Sequence, residues 1–189
     1  VIGGGYPKGI CGTGIVDALA EMLRSGVVDG TGRLLEPDEL PEGLHGTVSV
    51  NKKGNLSFTV APGVKIRAAD IRKLQLAKAA IAAGIQILCR HRGRKPEQAD
   101  RLLIAGAFGN YLKPESACAI GMLPRKLEKK ITSIGNGAGE GASIAALNQS
   151  EFDRSVRLAG ETEFLELALD PEFQDVYVDE LGFPEEMRE

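Results

Sequence analysis

Apolar residues recur at two different periods along this chain of 189 residues, and the switches between them outline its elements. In "TGIVDALAEMLRSG" the apolar Ile15, Ala18, Leu19 and Leu23 fall at helical spacing, with Thr13 placed to cap the start and Gly26 to end it. Next comes "VVDGTGRLLEPDELPEG", whose Asp29-Gly30 pair and prolines predict turns and a surface excursion. In "GTVSVNKKGNLSFTVAPG" the period shortens to two. Val48 and Val50, then Leu56, Phe58 and Val60, lie on either side of Lys53-Gly54-Asn55, the pattern of a β-hairpin. From Asp70 to about His91 the helical period returns, with Ile71, Leu74, Ala77, Ile81, Ile85 and Leu88 along one stripe.

In the second half two short strands each run into a glycine-rich turn. A short apolar strand from Arg101 to Ala105 breaks into the small-residue turn of "LLIAGAFGNYLKPESA", and "KPESACAIGML" continues as a helix and a turn. A second strand, "ITSIG", runs into "NGAGEGASIAALNQS", where glycines and alanines crowd the start of a helix. Residues 151 to 169 read as helical and "FQDVYVDEL" as a last strand. No internal repeat stands out. Strands that feed helices through glycines predict an α/β layer architecture, and the length with 43% hydrophobic residues suits one domain or two small lobes of one.

Charge adds an asymmetry. Residues 151 to 189 carry 13 acidic and 3 basic side chains, a net of −10, and residues 1 to 150 carry 13 acidic and 20 basic, a net of +7. The basic part is densest from Lys65 to Lys95, so the acidic segment is expected to fold back over the basic helix. Aromatics are few and not interleaved with basic residues, which argues against single-stranded nucleic acid as a partner. Cys11, Cys89 and Cys118 are far apart with no C-x-x-C pair, which suggests neither a disulfide framework nor a metal cluster in this stretch. A reduced, cytoplasmic setting fits, with no membrane association, since no apolar run is long enough to span a bilayer. A start at Val1 reads as a piece of something longer.

Three glycine-rich stretches compete for meaning. "GGGYPKGICGTG" fits neither a P-loop nor a dinucleotide fingerprint. Gly106 to Gly109 and Gly135 to Gly141 each follow a strand and precede a helix, which puts backbone N–H groups where an anion or a flat ring can approach without a Cβ in the way. Tight helix-on-sheet packing is the plainer explanation of the same glycines. On the long helix, Gln75 and Lys78 sit at i and i+3 off the apolar stripe, with Ala79 and Ala82 leaving room beside them. An amide and an ammonium so placed could hydrogen-bond the two hydroxyls of a ribose, or could simply form part of a solvated face.

A polar residue and Lys on a helix, then a strand, then a small-Gly-small turn, resembles the adenosine-binding half of the actin, sugar-kinase and heat-shock-chaperone ATPase superfamily. The wording of four motifs is more specific. "GICGTGIVDALAEML", "DIRKLQLAKAAIAAGIQIL", "LLIAGAFGNYLKPESACAIGMLP" and "IGNGAGEGA", in this order over nearly the whole chain, resemble the C-terminal domain of the ferredoxin-like reductive activators of corrinoid proteins. The resemblance implies a ribonuclease-H-like, actin-like ATPase half with a mixed sheet flanked by helices and a small β-hairpin insertion. Residues 1–189 would be the C-terminal part of that ATPase domain, with 27–66 as insertion and hairpin and 151–189 as an acidic extension. It implies ATP or ADP with Mg²⁺ as ligand, with Gln75 and Lys78 at the ribose, Ala105, Gly106, Ala107, Phe108 and Gly109 forming the adenosine turn, and Asn110 beside the purine.

The parent protein would carry a [2Fe–2S] cluster outside this chain and use ATP to drive an electron onto a corrinoid cobalt, from Co(II) to Co(I). Its partner would be a corrinoid protein or a corrinoid-dependent methyltransferase system, with a homodimer among the arrangements allowed. The superfamily's phosphate loops and Mg²⁺ ligands should lie upstream of Val1, so catalytic residues are not assigned here, and the chain alone is expected not to hydrolyse ATP. A small-molecule kinase or activator ATPase of the same superfamily, and a non-catalytic interaction module, remain the alternatives.

Overall fold

The computed structural model describes residues 3–184. Helix α1 (Gly12–Arg24) starts at Cys11 rather than at the expected Thr13: the Cys11 sulfur accepts the Gly14 N–H at 3.4 Å. A thiol takes the place that a hydroxyl usually fills. Val16, Leu19, Ala20 and Leu23 form the buried face of α1. The turn-rich stretch that follows is less of a surface excursion than its prolines suggest. Val27, Val28, Leu34 and Leu40 are buried, and a bridge from Val28 to Leu34 folds the stretch back on itself.

Strands β1 (Val48–Val50) and β2 (Leu56–Ala61) form the expected hairpin, with Val48 opposite Phe58 and Val50 opposite Leu56. A third strand, β3 (Val64–Arg67), pairs antiparallel with β2 and buries Val64 and Ile66. Its four residues are too few to show a period in sequence. It delivers the chain directly into α2 (Ala68–His91), whose first turn is closed by Asp70 accepting the Arg67 N–H at 3.1 Å. After α2, Gly93 at φ +63° reverses the chain, a left-handed conformation that side chains with a Cβ rarely adopt.

The second layer has a parallel pair, β4 (Leu102–Ile104) and β5 (Ile131–Ser133), with Leu102 opposite Ile131 and Ile104 opposite Ser133. Between them run α3 (Gly106–Tyr111) and α4 (Pro114–Ala119). Beyond β5 come α5 (Gly137–Leu147) and α6 (Gln149–Glu161). Both leave apolar side chains exposed, among them Ile144, Leu147, Phe152 and Val156. One buried cluster joins α1, the 27–40 stretch, the three-stranded sheet, α4 and Phe183.

The expected last strand is a helix, α7 (Phe173–Asp179). Its valines alternate, but the partner surface decides: Val176 is buried against Ala83 and Ile87 of α2, with Phe173 and Tyr177 at i−3 and i+1 packed on the same cluster. Val178 stays exposed. The acidic segment does fold back over the basic helix, with Arg90 on Glu172 at 2.6 Å, His91 on Asp170 at 2.9 Å and Arg92 on Glu163 at 3.2 Å. Among the described residues no helix is long and apolar enough to cross a membrane.

Candidate nucleotide site

The two parallel strands end side by side, and their turns are joined backbone to backbone. Ile134 N–H donates to Ile104 O at 2.9 Å and Gly106 N–H donates to Gly135 O at 2.7 Å. Both glycines have positive φ, +91° for Gly106 and +62° for Gly135, and at neither would a Cβ meet any atom within 4 Å. Conformation, not crowding, requires glycine there. Gly109 is the reverse case. A Cβ there would lie 2.1 Å from the Ile104 methyl, so the first turn of helix after the strand sits closer to β4 than any other residue allows.

Ala105, Ala107, Phe108 and Asn110 are exposed around this turn. Asn110 Oδ1 accepts the Ser133 hydroxyl at 3.5 Å, a second tie between the two strand ends. On the β5 side, Asn136 caps α5 by accepting the Gly139 N–H at 3.1 Å. A Cβ on Gly139 would lie 2.3 Å from the Asn136 amide. The exposed start of α5 directs backbone N–H groups away from the strand.

The remaining glycine-rich stretch reaches the same place. The Phe108 ring stands 3.1 Å from where a Cβ on Gly12 would be, so the turn after β4 rests on the start of α1. Lys113 Nζ reaches Asp17 Oδ2 at 3.3 Å across the same joint, and Asp17 Oδ1 is buried with no hydrogen-bond partner among the described residues. Cys11 is exposed there, and hydrogen bonding with the Thr13 hydroxyl and the Gly14 N–H holds its thiol below the ordinary value. In sequence "GICGTG" shows only a helix start; the fold brings it against the turn after β4.

Gln75 and Lys78 lie elsewhere. The expectation of an open polar patch is corrected: the two side chains are 2% and 1% exposed. Gln75 Nε2 donates to Thr31 O at 2.8 Å and to Leu181 O at 3.0 Å, and Lys78 Nζ donates to Gly182 O at 2.5 Å. The Lys78 ammonium also stands 5.4 Å from the centre of the Phe183 ring. Burial lowers the pKa of Lys78, opposed by the carboxylate of Glu180. These donors are spent on backbone carbonyls of residues 31 and 181–182, and they fasten the C-terminal segment and the Asp29–Gly32 turn to α2. Nothing in one helix's periodicity could show that a segment about a hundred positions away covers it.

Comparison with known proteins fixes the family. The model of the C-terminal domain of RACo, the ASKHA domain, matches residues 1–189. This chain belongs to that family. The fold is that of an actin-like ATPase, and a solved reductive activator for corrinoid, iron-sulfur protein superposes on 97% of the chain with a TM-score of 0.83 and 31% identity. The corrinoid activation enzyme RamQ of Eubacterium limosum is 35% identical over 94% of the chain. A [Co(II) methylated amine-specific corrinoid protein] reductase of Methanosarcina barkeri is 27% identical over 93% of it. The chain spans 32% and 29% of the length of these two curated relatives and 30% of the solved one.

Proposed function

We propose that this ASKHA domain is the nucleotide-binding half of an ATP-dependent reductive activator, whose substrate is the Co(II) cobalt of a corrinoid protein. The observation that carries the reading is the joining of two glycine turns at the carboxyl ends of two parallel strands, with the start of α1 resting on the first of them, where open α/β sheets place their ligands. A nucleotide fits the residues present. Gly106 and Gly135 leave the surface beside the joined turns free of side chains, Ala105 and Ala107 keep it low, and the start of α5 offers N–H groups to an anion. In this reading adenosine lies along Ala105–Asn110, with Phe108 as an apolar wall and Asn110 at the base. Gln75 and Lys78 act one step away, by holding the C-terminal segment on α2.

The bound nucleotide supplies binding energy that differs between its triphosphate and diphosphate forms. Such a difference can be coupled to the affinity for a corrinoid partner in its two oxidation states, which is what an uphill one-electron reduction requires. This chain's residues do not fit an iron–sulfur cluster: its three cysteines are dispersed, one exposed, one half-buried and one buried. Nor does any group of three acidic, histidine or cysteine side chains that could hold a metal ion occur among the described residues. In this reading the cluster is held outside these residues, and Mg²⁺ would be held by the nucleotide phosphates, water and at most one or two carboxylates.

Calorimetric titration of ADP with Mg²⁺ into the full-length protein tests the site. Ala107 is exposed, so Ala107→Leu should leave the fold intact while filling the low surface. We expect it to weaken ADP by about tenfold, roughly 1.4 kcal/mol, and to slow ATP-dependent formation of Co(I) from a Co(II) corrinoid protein in step. Unchanged ADP affinity in that variant would overturn the placement. Co(I) formation that is indifferent to ATP would overturn the function.

A further inference from the structure

We propose that Asp17 is a positioning residue for the nucleotide: acting through Lys113, it fixes the segment 105–113, along which adenosine is placed, against the start of α1. The inference rests on the nucleotide reading and adds to it the residue that sets where the turn lies. The strands hold one side of the segment. Gly109 has no room for a Cβ beside Ile104, and Asn110 accepts the Ser133 hydroxyl at 3.5 Å. Helix α1 holds the other side at three points. The Phe108 ring stands 3.1 Å from where a Cβ on Gly12 would be, Leu112 is buried in the same cluster as Val16 and Leu19, and Lys113 Nζ meets Asp17 Oδ2 at 3.3 Å. Lys113 reaches out from a fixed backbone, because Pro114 follows it and keeps it extended at φ −78° and ψ 122°.

The two ends of the pair stand in different surroundings. The Lys113 side chain is 66% exposed and that of Asp17 30%, and an ion pair in such a setting contributes little to stability. Yet Asp17 Oδ1 is buried with no hydrogen-bond partner among the described residues. A carboxylate oxygen removed from water without a donor is unfavourable, and Lys113 is the cation placed to offset that cost. Without it the carboxylate gains by turning to water, which loosens the joint between α1 and the segment that ends at Lys113. An uncharged amide at position 17 is far less driven to do so. The pair therefore bears on where residues 108–113 lie, and so on how well a flat ring is held along them, more than on whether the chain folds.

Calorimetric titrations of ADP with Mg²⁺, and of adenosine, into the full-length protein test the assignment. In Lys113→Gln both ligands should weaken about fivefold, with the thermal midpoint of the nucleotide-free protein unchanged because the side chain is exposed. Adding Asp17→Asn should bring both back to within about twofold of wild type. Adenosine carries no charge, so an equal loss for the two ligands reports on the turn and not on attraction to phosphates. Arg92→Gln removes a positive charge from the exposed pair with Glu163 and should leave both affinities as they were. Unchanged affinities in Lys113→Gln, a loss confined to ADP, a lower midpoint without a loss of affinity, an equal loss in Arg92→Gln, or no recovery with Asp17→Asn would each overturn the proposal. Ala107→Leu separates this failure from that of the nucleotide reading. If it weakens ADP while Lys113→Gln does not, the role of Asp17 alone falls; if neither does, both fall.

Discussion

Lys78 shows how a single side chain's surroundings decide its job. An ammonium at 1% exposure is costly unless its protons are satisfied, and here the satisfaction comes from Gly182 O and the face of Phe183. Desolvation by burial lowers its pKa, so between the folded-state value and the ordinary lysine value the unfolded chain binds more protons than the folded one. Stability attributable to Lys78 therefore rises with pH across that window. Lys78→Met should remove this rise, so that denaturation free energy falls more with pH across the window than in wild type, and a pH dependence unchanged from wild type would show that the lysine is not desolvated in solution. At Gly109 the issue is space alone. A methyl 2.1 Å from Ile104 forces the strand and the following helix apart, so Gly109→Ala should cost about 1–3 kcal/mol by urea denaturation. A neutral result would mean that α3 is free to shift away from β4.

At the scale of elements, two kinds of contact hold the C-terminal segment on α2, and they differ in weight. Ile87 is buried with Ala83 and Val176, and Ile87→Ala should cost about 2–5 kcal/mol. Arg90, on the same helix, meets Glu172 in solvent, and Arg90→Ala should cost less than about 1 kcal/mol. Denaturation of the two variants side by side checks the ranking, which reverses if charge rather than packing carries the docking. Asp170 adds a pH dependence. The hydrogen bond from His91 holds its carboxyl below the ordinary aspartate value, so its contribution is present above that value and fades as pH falls through the lowered one.

The same contrast explains what the sequence could disclose. The hairpin and α1 were legible because each has a period that its own residues complete; α2 was legible as a helix, but the expected stripe is not its buried face, since Ala77, Ile81 and Leu88 are exposed while Gln75, Lys78, Ala79, Ala82, Ala83 and Ile87 are buried. The fold-back of the acidic segment was legible as a charge imbalance between two stretches. β3 was not, because four residues define no period, and α7 was not, because alternating valines fit a strand until α2 supplies a small-residue surface for Val176. The two glycine turns after β4 and β5 were legible one by one; their joining depends on parallel pairing of the strands, a long-range choice. Gln75 and Lys78 were visible as a pair, but the carbonyls that claim them belong to residues 31, 181 and 182.

At the scale of the whole molecule, the candidate site is a surface rather than a set of reactive side chains. The joined turns present backbone and small side chains, and no metal-holding group of side chains occurs among the described residues. A surface of that kind can bind adenosine, yet adenosine changes little as the terminal phosphate departs. Contacts to it are equally strong before and during phosphoryl transfer, and such uniform binding lowers KM without raising kcat. Asn110, tied to Ser133 at the base of the turn, is the place to separate the two parameters. In the full-length protein, Asn110→Ala should raise the KM for ATP about fivefold, the effect of losing roughly 1 kcal/mol of hydrogen bonding, while kcat for ATP turnover stays within about twofold. Steady-state kinetics with a corrinoid acceptor present would decide it. A fall in kcat at constant KM would move Asn110 from holding the nucleotide to stabilising the transition state.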